Sequence, residues 1–178
     1  MPNHVKNELY FECDNVERIM ELMNTIKGED SPIDFEKIIP MPSNIFRGNL
    51  GQKEKELYGK NNWYDWSVKN WGTKWNAYEG NEMYRWRKGR LLYEGVSFLT
   101  AWSAPFPIIL KLSEMFSDVT ITHYYADEDI GYNCGKFVYK NGIKEDMTEF
   151  CDGSDEATRF ACDVWGYDYD EYLEEIEM

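Results

Sequence analysis

Histidine is nearly missing from this sequence: His4 and His123 are the only two in 178 residues. A zinc site takes about four ligands, and no histidine here has a cysteine at finger spacing, so no metal is expected and both read as sheet residues. Cysteine is sparse as well. Cys13, Cys134, Cys151 and Cys162 form no CxxC pair and no dense framework, which excludes a disulfide-stapled secreted scaffold and makes a reducing cytoplasm the expected compartment. Cys151 and Cys162 also sit in the most acidic stretch, where negative neighbours disfavour a reactive thiolate. No apolar run approaches the ~20 residues of a membrane-spanning helix, and the longest is broken at Ser103, Pro105 and Pro107. The opening residues pass from polar positions straight into a strand pattern, unlike a secretory leader. GxGxxG, GxxxxGK[ST] and GxSxG are absent, which removes the usual support for nucleotide-fold and serine-hydrolase chemistry. Neither an enzyme nor a cofactor is expected.

Positive charge is scarce and unevenly placed. The formal net charge is −14, with Lys and Arg against Asp and Glu standing at 4 against 9 in residues 1–46, 10 against 5 in 47–90, 4 against 6 in 91–144, and 1 against 13 in 145–178. Such a balance opposes duplex DNA and anionic membranes, both of which repel it at long range. It suits a basic partner.

What is present is a core. Hydrophobic residues make up 43% and aromatics 16%, too much for a solvated disordered chain, and the length suits one domain. Val5, Asn7, Leu9 and Phe11 alternate with Lys6, Glu8 and Tyr10, the period of a half-buried strand over 3–12. Val16, Ile19, Met20, Met23 and Ile26 then recur at helical spacing, capped by Asp14 or Asn15 and stopped by Gly28. Phe35, Ile38 and Ile39 suggest a short strand ahead of Pro40. Tyr64, Val68 and Trp71 mark a helix ended by Gly72, and Thr73, Trp75 and Ala77 suggest a strand after it. Further strands are expected at 83–86, 91–102, 119–126 and 136–139, with a helix from Pro107 and a C-terminal helix starting at Ser154. The order describes a duplicated split βαβ unit: an α+β, ferredoxin-like antiparallel sheet with two helices on one face. An inserted helix and hairpin (about 43–90) and an acidic C-terminal helical extension (145–178) complete one domain spanning 1–178.

The segments MPNHVKNELYF (1–11), DFEKIIPMP (34–42), NWGTKWNA (70–77), FLTAWSAPFP (98–107) and YYADEDIGYNCG (124–135) together resemble the YubB-type ferredoxin-like family, small proteins of bacteriophages and conjugative plasmids. The resemblance runs over roughly residues 1–140. It implies the fold and a mobile-element origin, and it brings no catalytic residues.

Three constellations remain. Asp127, Glu128 and Asp129 precede Gly131, but their spacing departs from a calcium loop and they read as a solvated turn. Trp63–Arg90 interleaves tryptophans with cations, and Trp66, Arg85, Trp86 and Arg87 are its candidates for stacking a base or nucleotide; the plainer reading puts Trp71 and Trp75 in the core and pairs the basic stretch with the acidic tail. In that tail, Asp163, Asp168, Asp170, Glu171, Glu174 and Glu175 surround Trp165 and Tyr169. Charge with aromatic anchors in this pattern can present a nucleic-acid-like face to a basic host protein. The expected function is therefore non-catalytic binding of a host nucleic-acid-binding or defence protein, with ligand, nucleotide or single-strand binding at 63–90 as the alternative.

Overall fold

In the computed structural model, residues 2–87 and 89–177 are described; the side chains of Arg87, Arg90 and Glu177, like Met1, Lys88 and Met178, lie outside the described residues. The first strand, β1 (His4–Glu12), buries Val5, Asn7, Leu9 and Phe11 on one face, as the alternation requires. Helix α1 (Val16–Ile26) follows, with Asn15 accepting the Glu17 N–H at its start. After a long connection come β2 (Tyr78–Arg87), β3 (Arg90–Ala101), a helix numbered α4 below (Phe106–Met115) and β4 (Thr120–Asp127). These four strands lie in the order β2-β3-β1-β4, with every pairing antiparallel. That is the ferredoxin-like arrangement of two split βαβ units.

Two strands extend the sheet beyond β4. β5 (Cys134–Lys140) pairs with β4, and β6 (Ile143–Glu149) returns through Asn141–Gly142, both at positive φ, to form the far edge. The acidic extension therefore begins inside the sheet. Its next part, α5 (Asp155–Trp165), capped by Ser154 and closed by the left-handed Gly166, covers the face opposite α1 and α4. Ala157, Ala161, Cys162 and Val164 form a second small core there with Ala126, Ile130 and Cys134, and Lys6 Nζ donates to the Val164 carbonyl at 2.5 Å. The main core lies on the other face, between α1, α4 and the strands. A final helix, α6 (Tyr169–Glu177), packs Tyr169 and Tyr172 against the second core.

The connection between α1 and β2 holds a 3-10 turn at Phe35–Lys37, α2 (Gln52–Tyr58) and α3 (Trp63–Asn70). The strand expected at Phe35–Ile39 is absent: Asp34 accepts the Glu36 N–H and tightens the backbone into that turn, while the Phe35 ring enters the core against Trp71 and Phe98. Nor do Thr73–Ala77 form a strand. Thr73 Oγ1 donates to the Ala101 carbonyl at 2.8 Å and accepts the Ala101 N–H at 3.1 Å, so a side chain ties this segment to the end of β3 and the ladder starts only at Tyr78. The hairpin strand β2 belongs to the four-strand unit, which ends the insertion before residue 78. Among the described residues no helix is long and apolar enough to cross a membrane.

Candidate functional site

The two charged regions lie at opposite ends of the sheet. β3 runs past β1 beyond the Tyr10–Gly95 pair, carrying the hairpin tip away from the core. Trp86 is 72% exposed there and pairs across the hairpin with exposed Leu91. Arg85 projects from the other face of β2 and is bridged to Glu94 at 3.2 Å. Trp66 lies elsewhere, on α3, edge-on to buried Trp71 and partly buried against the core. β2 alone spans ~26 Å between Tyr78, near the α3 end, and Trp86 at ~3.3 Å per residue. Trp66 thus does not share a surface with Arg85 and Trp86, and the side chain of Arg87 lies outside the described residues.

The acidic unit occupies the other end. Asp168 Oδ1 accepts the N–H groups of Asp170 and Glu171 at 3.0 Å each, so it caps α6. Asp170, Glu171, Glu174 and Glu175 project from that helix into solvent. Asp163 stands apart, on α5, at a groove of about 660 Å³ shared with Tyr10, Tyr124, Lys136 and Phe160 on the sheet face. The two expected anchors are spent within the fold. Trp165 donates its indole N–H to the Asp127 carbonyl at 2.9 Å, and Tyr169 lies under the Arg159 guanidinium at 3.7 Å with its hydroxyl on Asp155. Those two partners, Tyr169 first, hold the Asp155 carboxyl below its usual range. The exposed large apolar groups of this unit are Met147 on β6, Tyr167 and Ile176, among the described residues.

Among the described residues, no cation of the basic stretch is ion-paired with the tail. Within 145–178 the ion pair among the described residues is Arg159 with its own neighbour Asp155.

Sequence reading missed a third cluster, at the same end as the acidic unit. Lys74 Nζ sits 4.4 Å from the Trp75 ring and 4.7 Å from the Trp102 ring, and both indoles are open to solvent. Trp75 is therefore not core. Tyr78 meets Trp75 edge-on and hydrogen-bonds His4 Nδ1 at 2.6 Å, while Tyr64 meets Trp102. Trp102 adopts φ +70°, a left-handed conformation that costs a bulky residue about 1–2 kcal/mol. Its backbone is held there: its N–H donates to the Asn3 carbonyl at 2.9 Å, and Ser103 Oγ donates to the Gly72 carbonyl. Glu79 and Asn133, two more residues at positive φ, lie nearby. NWGTKWNA and FLTAWSAPFP are thus one place in space.

Hydrogen bonds join this cluster to the acidic unit. Asp127 is buried, not a solvated turn residue, and accepts from Asn3 Nδ2, the Asp129 N–H and Asn133 Nδ2 at 3.0–3.2 Å. Asn133 also donates its side-chain amide to the Trp102 carbonyl and its backbone N–H to the Asp152 carboxylate at 3.1 Å. Trp165 completes the chain on the Asp127 carbonyl. Among the described residues no group of three or more His, Cys, Asp or Glu has metal-holding geometry. The buried Cys134 thiol is pushed up to about 11, by burial first and Asp152 second, and Cys162 is raised by burial and then Asp163 and Asp168. Both favour the inert thiol.

Residues 70–168, more than half of the sequence, match the family described as a ferredoxin-like domain in Api92-like protein. The chain belongs to that family. The Api92-like domain so defined includes β6 and α5, which the sequence resemblance left outside, and it contains both Trp75 and Trp102. Among solved structures, the crystal structure of a protein Api92 from Yersinia pseudotuberculosis is similar at 20% identity and a TM-score of 0.46, covering 68% of this chain. The chain spans 40% of the length of that Api92 chain. No curated protein matches.

Proposed function

We propose that this Api92-like chain is a non-catalytic binding protein of a phage or plasmid, acting in the cytoplasm of the host bacterium. Its acidic C-terminal unit engages a basic host protein and antagonises a nucleic-acid-binding or defence function by offering a nucleic-acid-like face. One observation supports this most. The last 34 residues carry 13 acids against one Lys or Arg, and that one, Arg159, is held by Asp155 and Tyr169, which leaves the α6 carboxylates projecting without ion-pair partners among the described residues. Rim charges of this kind mainly raise association rates and are screened by salt.

The test begins with capture of the partner from host extract and its identification. Replacing Asp170, Glu171, Glu174 and Glu175 by Asn or Gln should slow association with that partner by on the order of tenfold at low salt. Duplex DNA should compete. An unchanged association rate in the fourfold variant overturns the reading.

A second reading rests on Trp86, the most exposed of the tryptophans considered, beside Arg85 at the hairpin tip. It is single-strand or nucleotide stacking, and titration of Trp86→Ala with oligothymidylate tests it.

A further inference from the structure

We infer that Trp75 and Trp102 form a clamp for an arginine side chain of the basic partner, and that Lys74 holds the place until that guanidinium displaces it; the inference rests on the proposed engagement of a basic protein. An ammonium already lies against both rings, at 4.4 and 4.7 Å, which shows that the cluster accepts a cation between two indole faces. Lys74 has no carboxylate partner among the described ion pairs, so its displacement from the rings breaks none of those pairs. The surroundings are negative. Glu79 and Glu128 act on Tyr78, which touches Trp75, and Glu128 accepts the His4 N–H at 3.1 Å.

This charge favours a cation over a phosphate-bearing ligand. Between cations, a planar guanidinium stacks on an aromatic face and sheds its weak hydration more readily than an ammonium does, so arginine is expected to replace the resident lysine. The clamp is also built for permanence, because a bulky residue is kept left-handed by the Asn3 and Ser103 hydrogen bonds where glycine would sit without strain. Through Asn3, Asp127 and Asn133 it is continuous with the acidic unit, so one basic segment can meet both the rings and the carboxylates.

The experiment titrates the intact protein calorimetrically with hexa-arginine, with hexa-citrulline as the uncharged isostere and AMP as the anionic probe. Trp75→Ala and Trp102→Gly should each weaken hexa-arginine binding about tenfold, and Lys74→Met should tighten it several-fold. Hexa-citrulline and AMP should bind weakly and be indifferent to Lys74. Trp102→Gly removes the ring while relieving the left-handed strain, so its circular dichroism should match the wild type; Trp75→Phe, which keeps a weaker aromatic face, should restore part of the binding lost in Trp75→Ala. If Lys74→Met weakens hexa-arginine, or if AMP binds and needs Lys74, the clamp is an anion site and the inference is overturned. If the clamp variants bind as the wild type does while the fourfold α6 variant loses affinity, the clamp falls and the acidic reading stands. If none of these variants changes binding, both fall.

Discussion

At the scale of single residues, His123 shows how burial turns a common side chain into a pH liability. It is fully buried, its Nε2–H donates to Asn7 Oδ1 at 2.9 Å, and its Nδ1 has no partner among the described residues. Burial first, and Lys144 second, push its pKa down to about 3. The folded state thus binds the proton more weakly than the unfolded chain, whose histidine titrates near ~6.5. Stability from this residue is complete above that value and is lost as the pH falls from about 6.5 towards about 3. The unfolding free energy from urea titration should therefore decline between pH 7 and pH 5 in the wild type, by up to about 1.4 kcal/mol per pH unit. In His123→Leu the slope over that window should flatten, although the absolute stability drops because Asn7 loses a partner. Equal slopes in the two proteins would show that His123 is not the titrating group. The sequence marked His123 as a sheet histidine and no more, since its isolation depends on Asn7 and Phe106, both far from it along the chain.

At the scale of elements, alternation and helical spacing located β1, α1, β3, α4, β4 and α5, because each has one apolar side and one wet side. They failed where a side chain replaced the ladder, as at Asp34 and Thr73, and where an element is wet on both sides. β6 is exposed at every residue and so has no periodic signature. The Lys74–Trp102 contact was equally invisible, since the insertion and the β2–β3 hairpin are needed to bring the two segments together. Two element-level predictions follow from the packing. Gly95 lies where β3 bulges between β1 and β2, and a Cβ there would meet the Leu9 carbonyl oxygen at 1.8 Å. Gly95→Ala should cost on the order of 3 kcal/mol in chemical denaturation, and a loss under half of that would mean the strands part easily. Truncation at residue 150 should do more than remove charge. It uncovers Ala126, Ile130 and Cys134, so the shortened chain should bind a hydrophobic dye and melt less cooperatively; a dye-silent, sharply melting fragment would show that α5 is not part of the core.

At the scale of the whole molecule, the charge is both large and polar in space, with the arginine-bearing hairpin at one end of β1 and the carboxylate-bearing α6 at the other. Like charges crowded in the acidic unit repel one another, and salt screens them with a Debye length of ~10 Å at 0.1 M. The melting temperature at pH 7 should accordingly rise by a few degrees between about 0.02 and 0.5 M NaCl, as followed by circular dichroism. A fall would mean that attractive pairs such as Arg18–Asp118 and Lys27–Glu82 outweigh the repulsion. The placement of β1 has a consequence in time as well. β1 lies in the middle of the finished sheet, between β3 and β4, and both of these neighbours are made well after it. At ~5–20 residues per second, Val5 waits roughly 6–25 s for its partner Asp127 to be synthesised. Until β3 is made, Val5, Leu9 and Phe11 hang from a nascent chain with both edges of their strand open, and the β4 edge stays open for the whole interval. This is the stage at which a chaperone has the most of this protein to hold.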